Sequence, residues 1–321
     1  NRALSIRPGN LDLTIAKSEI RGIIPNGLLG GRFLSNGPGW NTYDDLIVHP
    51  FDGHGYIRSY TLKLDGSVDI KARFVNTEVY REESITNTFM YRGLGTNPSE
   101  HFWKNLSFSK IRNVANTTVY SFKDRLIVGW EGGVPHALEP ATLETFGEET
   151  FDGLIQDKVT LAHMHYDAQK EHILVVNVQR GRNTGLEIHE INTEGNPIST
   201  RKGEILGTSF VHDFMFSKKW YIFGSNALQI DFFKVLKSLM GSGTFITSLK
   251  ANLQKPGELV LISRETQDVT RRIRLPKPVF VVHFVNAFER SDGTLIVDAC
   301  IFHNFSFFTF VNHLSHPASD P

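Results

Sequence analysis

Cysteine occurs once in 321 residues, at Cys300. That single thiol excludes an internal disulfide framework and a thiolate-based zinc site, and it is what a reducing compartment permits. An excess of either charge is also missing: 34 Lys and Arg balance 34 Asp and Glu. There is no basic surplus to hold nucleic acid, so no nucleic-acid partner is expected, and no acidic tail. No run of about 20 uncharged apolar residues exists, so no transmembrane helix is expected. Methionine and tryptophan number four each, whereas phenylalanine numbers 24. Phenylalanine in that quantity has two readings, the filling of a large β core or the lining of a tunnel for a long apolar ligand.

The length suits one large domain or two ordinary ones. The first residue is Asn1 rather than Met, so the natural N-terminus, with any targeting segment, is expected upstream. Strand-like runs recur at residues 56–64, 117–130, 172–179, 219–224, 258–264, 278–285 and 294–302. Turn signals at Asp65-Gly66, Asp152-Gly153 and Asp292-Gly293 stand between them. Long helical periodicity is nearly absent. The pattern is all-β, and sandwich, barrel and propeller all satisfy it, because no clean repeat of about 40–50 residues picks one out.

One segment breaks the pattern. Over 227–252, Leu228, Phe232, Val235, Leu236 and Leu239 fall at helical spacings, with Lys234 and Lys237 off the stripe and Gly241 and Gly243 after it. It reads either as a short surface helix packed on the sheet or as an interfacial patch. In the second reading Phe232, Phe233, Leu236 and Leu239 dip below lipid headgroups while Lys234, Lys237 and Lys250 stay near the phosphates. A membrane-facing insert at about 227–249 within a single 1–321 domain is the expectation adopted.

Histidine is the residue type that carries chemistry. His163, His212 and His283 each lie in or at the end of an apolar strand run, separated by 49 and 71 positions. Such separations do not suit a zinc finger, whose ligands come from one local unit. They fit strands converging from different parts of a closed β structure, where three imidazoles would suit Fe, Cu, Ni or Zn. Three separately hydrogen-bonded core histidines fit the spacing equally well.

Eight stretches carry a resemblance. They are IIPNGLLGGRFLSNGPG (23–39), HPFDGHGYI (49–57), ARFVNTEVYREE (72–83), NVANTTVY (113–120), WEGGVPHALEPATLETFG (130–147), AHMHYD (162–167), FVHDFMF (210–216) and HFVNAFE (283–289). In this order they resemble the carotenoid cleavage oxygenases, a family that includes apocarotenoid oxygenases, retinoid isomerohydrolase and stilbene-cleaving enzymes. The resemblance implies an all-β, seven-bladed β-propeller with a loop and helical cap and one non-haem Fe2+ on its axis. His163, His212 and His283 match three of the family's four histidine ligands, although Met164 replaces the proline of the usual Ala-His-Pro motif. Glu131 matches a carboxylate that backs a ligand ring; without the resemblance it is an ordinary strand-end charge. Glu144 is read as turn structure, and His165, two positions from His163, is the competitor for the axial position.

The activity implied is scission of a conjugated C=C bond, with O2 as co-substrate and an apolar polyene as partner. A peripheral place on a cytoplasmic or organellar membrane follows. The alternatives are a stilbene-cleaving enzyme and an inactive homologue that binds apolar ligands. Stilbene-cleaving members tend to carry a lysine in or just after the segment matching 75–83, and none occurs from Val75 to Glu100. The chain ends 38 residues after His283, and none of His303, His313 and His316 has the context of the fourth ligand. Further chain, or a partner completing the ring, is therefore expected, because an open propeller exposes a sheet edge.

Overall fold

The computed structural model describes residues 8–44, 46–99, 101–105, 112–155, 158–225, 228–266 and 270–302. His303, His313 and His316 lie outside them. Four sheets follow one another along the chain as antiparallel meanders, with the first hairpin of a fifth after them. Blade 1 pairs Arg32–Ser35, His54–Leu62 and Val68–Phe74, with Leu11–Ile15 added at its outer edge. Blade 2 is Thr118–Phe122, Arg125–Gly129, His136–Leu138 and Thr145–Glu148. Blade 3 is His165–Asp167, His172–Arg180, Thr184–Ile191 and Pro197–Ile205. Blade 4 is Phe214–Phe216, Trp220–Ser225, Glu258–Ser263 and Thr270–Arg274, and the fifth hairpin pairs Phe280–Glu289 with Leu295–Phe302. The arrangement is that of a β-propeller.

Side-chain alternation explains why the strand runs are apolar throughout. Along His172–Arg180, Ile173 and Val175 pack with Phe122 and Ile127 of blade 2. Leu174, Val176 and Val178 face the other way, against Phe214, Phe223 and Val260 of blade 4. Blade 4 repeats the arrangement, sending Met215 and Ile222 towards Val281, Phe284 and Ala287 of the fifth hairpin. A strand buried on both faces needs apolar residues at both parities, so it carries no alternating signature.

Among the described residues two α-helices interrupt the sheets, α1 at Glu78–Thr86 and α2 at Phe232–Leu239. α1 begins inside the quoted stretch 72–83 and runs three residues past it; Thr77 caps it by accepting from Tyr80 N at 3.1 Å. α2 matches the helical stripe of the insert except at its start. Leu228 belongs to the strand Leu228–Ile230, paired with Leu249–Ala251 at the base of the excursion. Asp231 then caps α2 through Phe233 N and Lys234 N.

Candidate metal centre

The first strands of blades 3, 4 and 5 begin beside one another, and each brings a histidine. His163 and His212 stand two residues before the strands His165–Asp167 and Phe214–Phe216, while His283 is the fourth residue of Phe280–Glu289. Two bulges bracket His283, leaving Val282 and Val285 unopposed by the partner strand. Bulges re-aim the side chains beside them, and here the side chain between them is the ligand candidate.

The three rings meet. Their centroids are 4.8, 4.9 and 5.1 Å apart, and one nitrogen from each lies within 4.8 Å of the others. His163 Nε2 and His212 Nε2 are 3.2 Å apart. Behind His212, its Nδ1 is 2.5 Å from Glu131 Oε2. A carboxylate only accepts, so Nδ1 carries the proton and the Nε2 lone pair is turned towards the other two rings. Glu131 Oε1 is buried without a hydrogen-bond partner among the described residues.

Electrostatics keep this cluster ready to ligate. Burial, reinforced by His212 and His283, pushes His163 down to about 3. His283 is lowered too, again first by burial and then by His212. Burial would lower His212 as well, but the Glu131 carboxylate outweighs it and raises the ring above its ordinary value. Two neutral imidazoles and one held by a carboxylate form a nitrogen donor set that suits a divalent first-row ion.

Local sequence explains the placement of Glu131. A Cβ on Gly129 would lie 2.5 Å from Ala162 O, so glycine lets blade 2 approach the residue preceding His163. That carbonyl also accepts from Thr118 Oγ1 at 2.6 Å. Gly132, with φ of +136°, turns the chain directly after Glu131 in a conformation that suits glycine.

His165 does not reach the axis. Its Nε2 bonds Asp213 Oδ1 at 3.1 Å and its ring meets Phe214 edge-on at 4.8 Å. Asp213 Oδ2 in turn accepts from Phe284 N at 2.9 Å, so the Asp of His212-Asp213-Phe214 ties blades 3, 4 and 5 together next to a histidine of the cluster. The sequence contained Asp213 in plain view but assigned it no task. Met164 is buried between blades 2 and 3, where an apolar side chain satisfies the position that proline holds elsewhere. Glu144 is exposed and outside the cluster.

At the insert, Phe232, Phe233, Leu236 and Leu239 are 69, 82, 48 and 58% exposed. The buried residue of α2 is Ser238, whose Oγ accepts from Arg92 at 2.7 Å. The helix thus presents its apolar face outward. Phe102 and Trp103 are exposed on the segment against it, where a Cβ on Gly241 would lie 2.2 Å from Phe102 O. Sequence reading missed these two rings, whose only signal was an aromatic pair outside any strand run.

A family model described as retinal pigment epithelial membrane protein matches residues 8–320. The chain belongs to this family, that of the carotenoid cleavage oxygenases. Among its relatives, the apocarotenoid-15,15'-oxygenase of Synechocystis is 29% identical over 296 residues, covering 89% of this chain and 59% of that one. The rice chloroplastic carotenoid cleavage dioxygenase 7 is 27% identical, covering 94% and 59%. A solved structure of cobalt-substituted Synechocystis apocarotenoid oxygenase superposes with a TM-score of 0.85 at 28% identity, over 95% of this chain and 64% of that one. This family member therefore spans about three fifths of the length of the curated relatives it matches.

Proposed function

We propose that the protein is a non-haem iron dioxygenase that cleaves a conjugated C=C bond of a carotenoid or apocarotenoid into two carbonyl products. One observation carries this reading: three histidines from three blades converge with a carboxylate behind one of them, in a member of this family. His163, His212 and His283 would hold the ion. Bound there, Fe2+ supplies the one-electron chemistry through which O2 reacts with a conjugated alkene. Glu131 keeps the His212 proton on Nδ1 and makes the opposite nitrogen more basic. A donor set of neutral rings leaves the ion's charge uncompensated at its ligands, which makes Glu131 the balancing negative charge. The absence of lysine from Val75 to Glu100 favours a polyene over a phenolic stilbene.

Metal analysis of the full-length protein, then incubation with carotenoids, apocarotenoids and hydroxystilbenes under O2, tests this. One iron per chain and aldehyde products from a polyene are expected. Cleavage of stilbenes alone would move the substrate to the phenolic class, and metal-free protein inert to every compound would remove the enzymatic reading.

The exposed face of α2 supports peripheral attachment to a cytoplasmic or organellar membrane. A helix that buries serine and exposes four large apolar side chains gains nothing from water. Each side chain taken into the headgroup boundary contributes roughly 1–2 kcal/mol. Lys234 and Lys237 are exposed on the same helix, and Lys250 follows it, placed for lipid phosphates. Changing both Phe232 and Leu236 to Ser is expected to weaken liposome binding by roughly tenfold or more with the melting temperature nearly unchanged. Unfolding of that variant, or undiminished co-sedimentation with liposomes, would show that the face serves the fold or nothing at all.

A further inference from the structure

Arg180 stands where the side-chain pattern of blade 3 calls for an apolar residue. It has the parity of Leu174, Val176 and Val178, whose side chains fill the core shared with blade 4. That core includes Val211, the neighbour of His212. Arg180 is the next residue in the row, at the end of its strand, and it is exposed. The row therefore leaves the packed core and ends in an exposed guanidinium, on which the charge of Glu131 still acts.

Its surroundings connect the centre to the insert. The Arg180 Cζ lies 5.5 Å from the centroid of the Phe245 ring, which belongs to the excursion between Leu228–Ile230 and Leu249–Ala251. Opposite Arg180 in the ladder is Thr184, whose Oγ1 donates to Ser209 O at 3.2 Å. Ser209 bridges to Gln229 and Phe210 N bonds Leu228 O at 3.3 Å, so the base of the insert is fastened two residues before His212. Crowding by the protein lowers the Arg180 pKa, and the field of Glu131 opposes that effect. Among the described residues the guanidinium forms no hydrogen bond and no ion pair, and the Phe245 ring is its one specific contact. An always-charged fork of five donors without an acceptor among the described residues, set against a ring of the insert and within the field of Glu131, is suited to a carboxylate.

We infer that Arg180 is a specificity-determining residue that binds the carboxylate end of a polyene lying between the insert and the histidine cluster. The inference rests on the proposed polyene substrate and narrows it to acid-ended apocarotenoids. Two oxygens anchored on the guanidinium would fix how far the chain extends past the histidines, and so which double bond lies at them. An apolar wall alone sets that register weakly.

The probe is trans-parinaric acid, a fluorescent conjugated fatty acid, compared with its methyl ester on the full-length protein. The acid is expected to bind roughly tenfold tighter than the ester, the weight of one charge-assisted hydrogen bond. R180M should equalise the two ligands by weakening the acid alone, and R180K should restore part of the preference. A structural role for Arg180 would instead weaken both ligands together, and that result overturns the inference. So does wild-type protein that treats acid and ester alike, or R180M that keeps the preference. Iron-loaded protein that cleaves no polyene but shows an Arg180-dependent acid preference would defeat the proposed reaction and leave this site standing. Polyene cleavage with no such preference would do the reverse.

Discussion

Alanine at His212 is expected to strip the protein of stoichiometric iron and with it all cleavage activity, while glutamine at Glu131 weakens iron binding by roughly 10–100-fold. The difference follows from position. His212 offers its Nε2 to the shared centre, 3.2 Å from His163 Nε2, and its loss removes a donor. Glu131 touches only the far nitrogen. A glutamine can still accept from Nδ1 through its amide oxygen, but it brings no negative charge to raise the ring's basicity. His165→Ala provides the contrast. Its ring bonds Asp213, not the cluster, so that variant should retain iron and lose stability, because Asp213 forfeits one of its acceptances. Iron titration of the three variants beside their melting curves decides the matter. Iron retained in H212A, or lost in H165A with the fold intact, would overturn the assignment of ligands.

How much of this was written in the sequence differs between fold and site. The strand runs at 172–179, 219–224 and 258–264 form the strands His172–Arg180, Trp220–Ser225 and Glu258–Ser263, since their β-branched and aromatic content leaves little alternative. Whether they would make a sandwich or a propeller was not legible from periodicity. Each is buried against both neighbouring blades, and burial on two faces erases the alternation that shows which side is inside. The strands Thr184–Ile191 and Pro197–Ile205 were passed over, because TGLEIHEI and PISTRKGEI mix charges into the ladder. Glu190 is the clearest case, a carboxylate buried by an arginine 74 residues away.

The site was readable to the extent that motif order identified the three histidines, and their spacing alone left separate core histidines equally open. What decides between His163 and His165 is geometry no sequence displays: His163 stands just before the strand, and His165 is its first residue, turned to Asp213. The helix of the insert was legible as a helix, and the expectation that its apolar face points outward came from the insoluble substrate that the resemblance implies, not from the stripe itself. By spacing alone, a stripe of Phe232, Val235, Leu236 and Leu239 fits a buried face as well as an exposed one, and the structure shows Ser238 underneath, held by Arg92. Arg180 was invisible for a related reason. An arginine at a strand end reads as a surface charge, and only the row that it completes gives it meaning.

Replacing Arg264 by Met is expected to cost about 3–5 kcal/mol of folding stability, because it leaves buried carboxylates without their cation. Arg264 is buried where blades 3 and 4 meet. Its Nε donates to Glu190 Oε1 at 2.8 Å, one terminal nitrogen to Asp167 Oδ2 at 2.7 Å and the other to Ser217 O at 2.7 Å. Tyr221 OH donates to the same Glu190 oxygen at 2.6 Å, and His172 Nδ1 lies 3.0 Å from the other. Burial would raise the Glu190 pKa, but Tyr221, His172 and Arg264 together outweigh it and hold the carboxyl at about 2. An unfolded glutamate titrates near 4.3, at roughly the model-peptide value. A folded pKa below the unfolded one means that the stabilisation is present above about pH 4 and is lost as the pH falls through the folded value, an amount on the order of 3 kcal/mol. Urea denaturation at about pH 7 and about pH 3 should therefore show wild-type protein losing stability on acidification, with R264M low at the outset and less sensitive to acid. The two proteins should converge as Glu190 becomes protonated, since a neutral carboxyl no longer needs the guanidinium. A variant within about 1 kcal/mol of wild type at neutral pH, or a gap that stays constant into acid, would show that the cluster does not join blade 3 to blade 4 through charge.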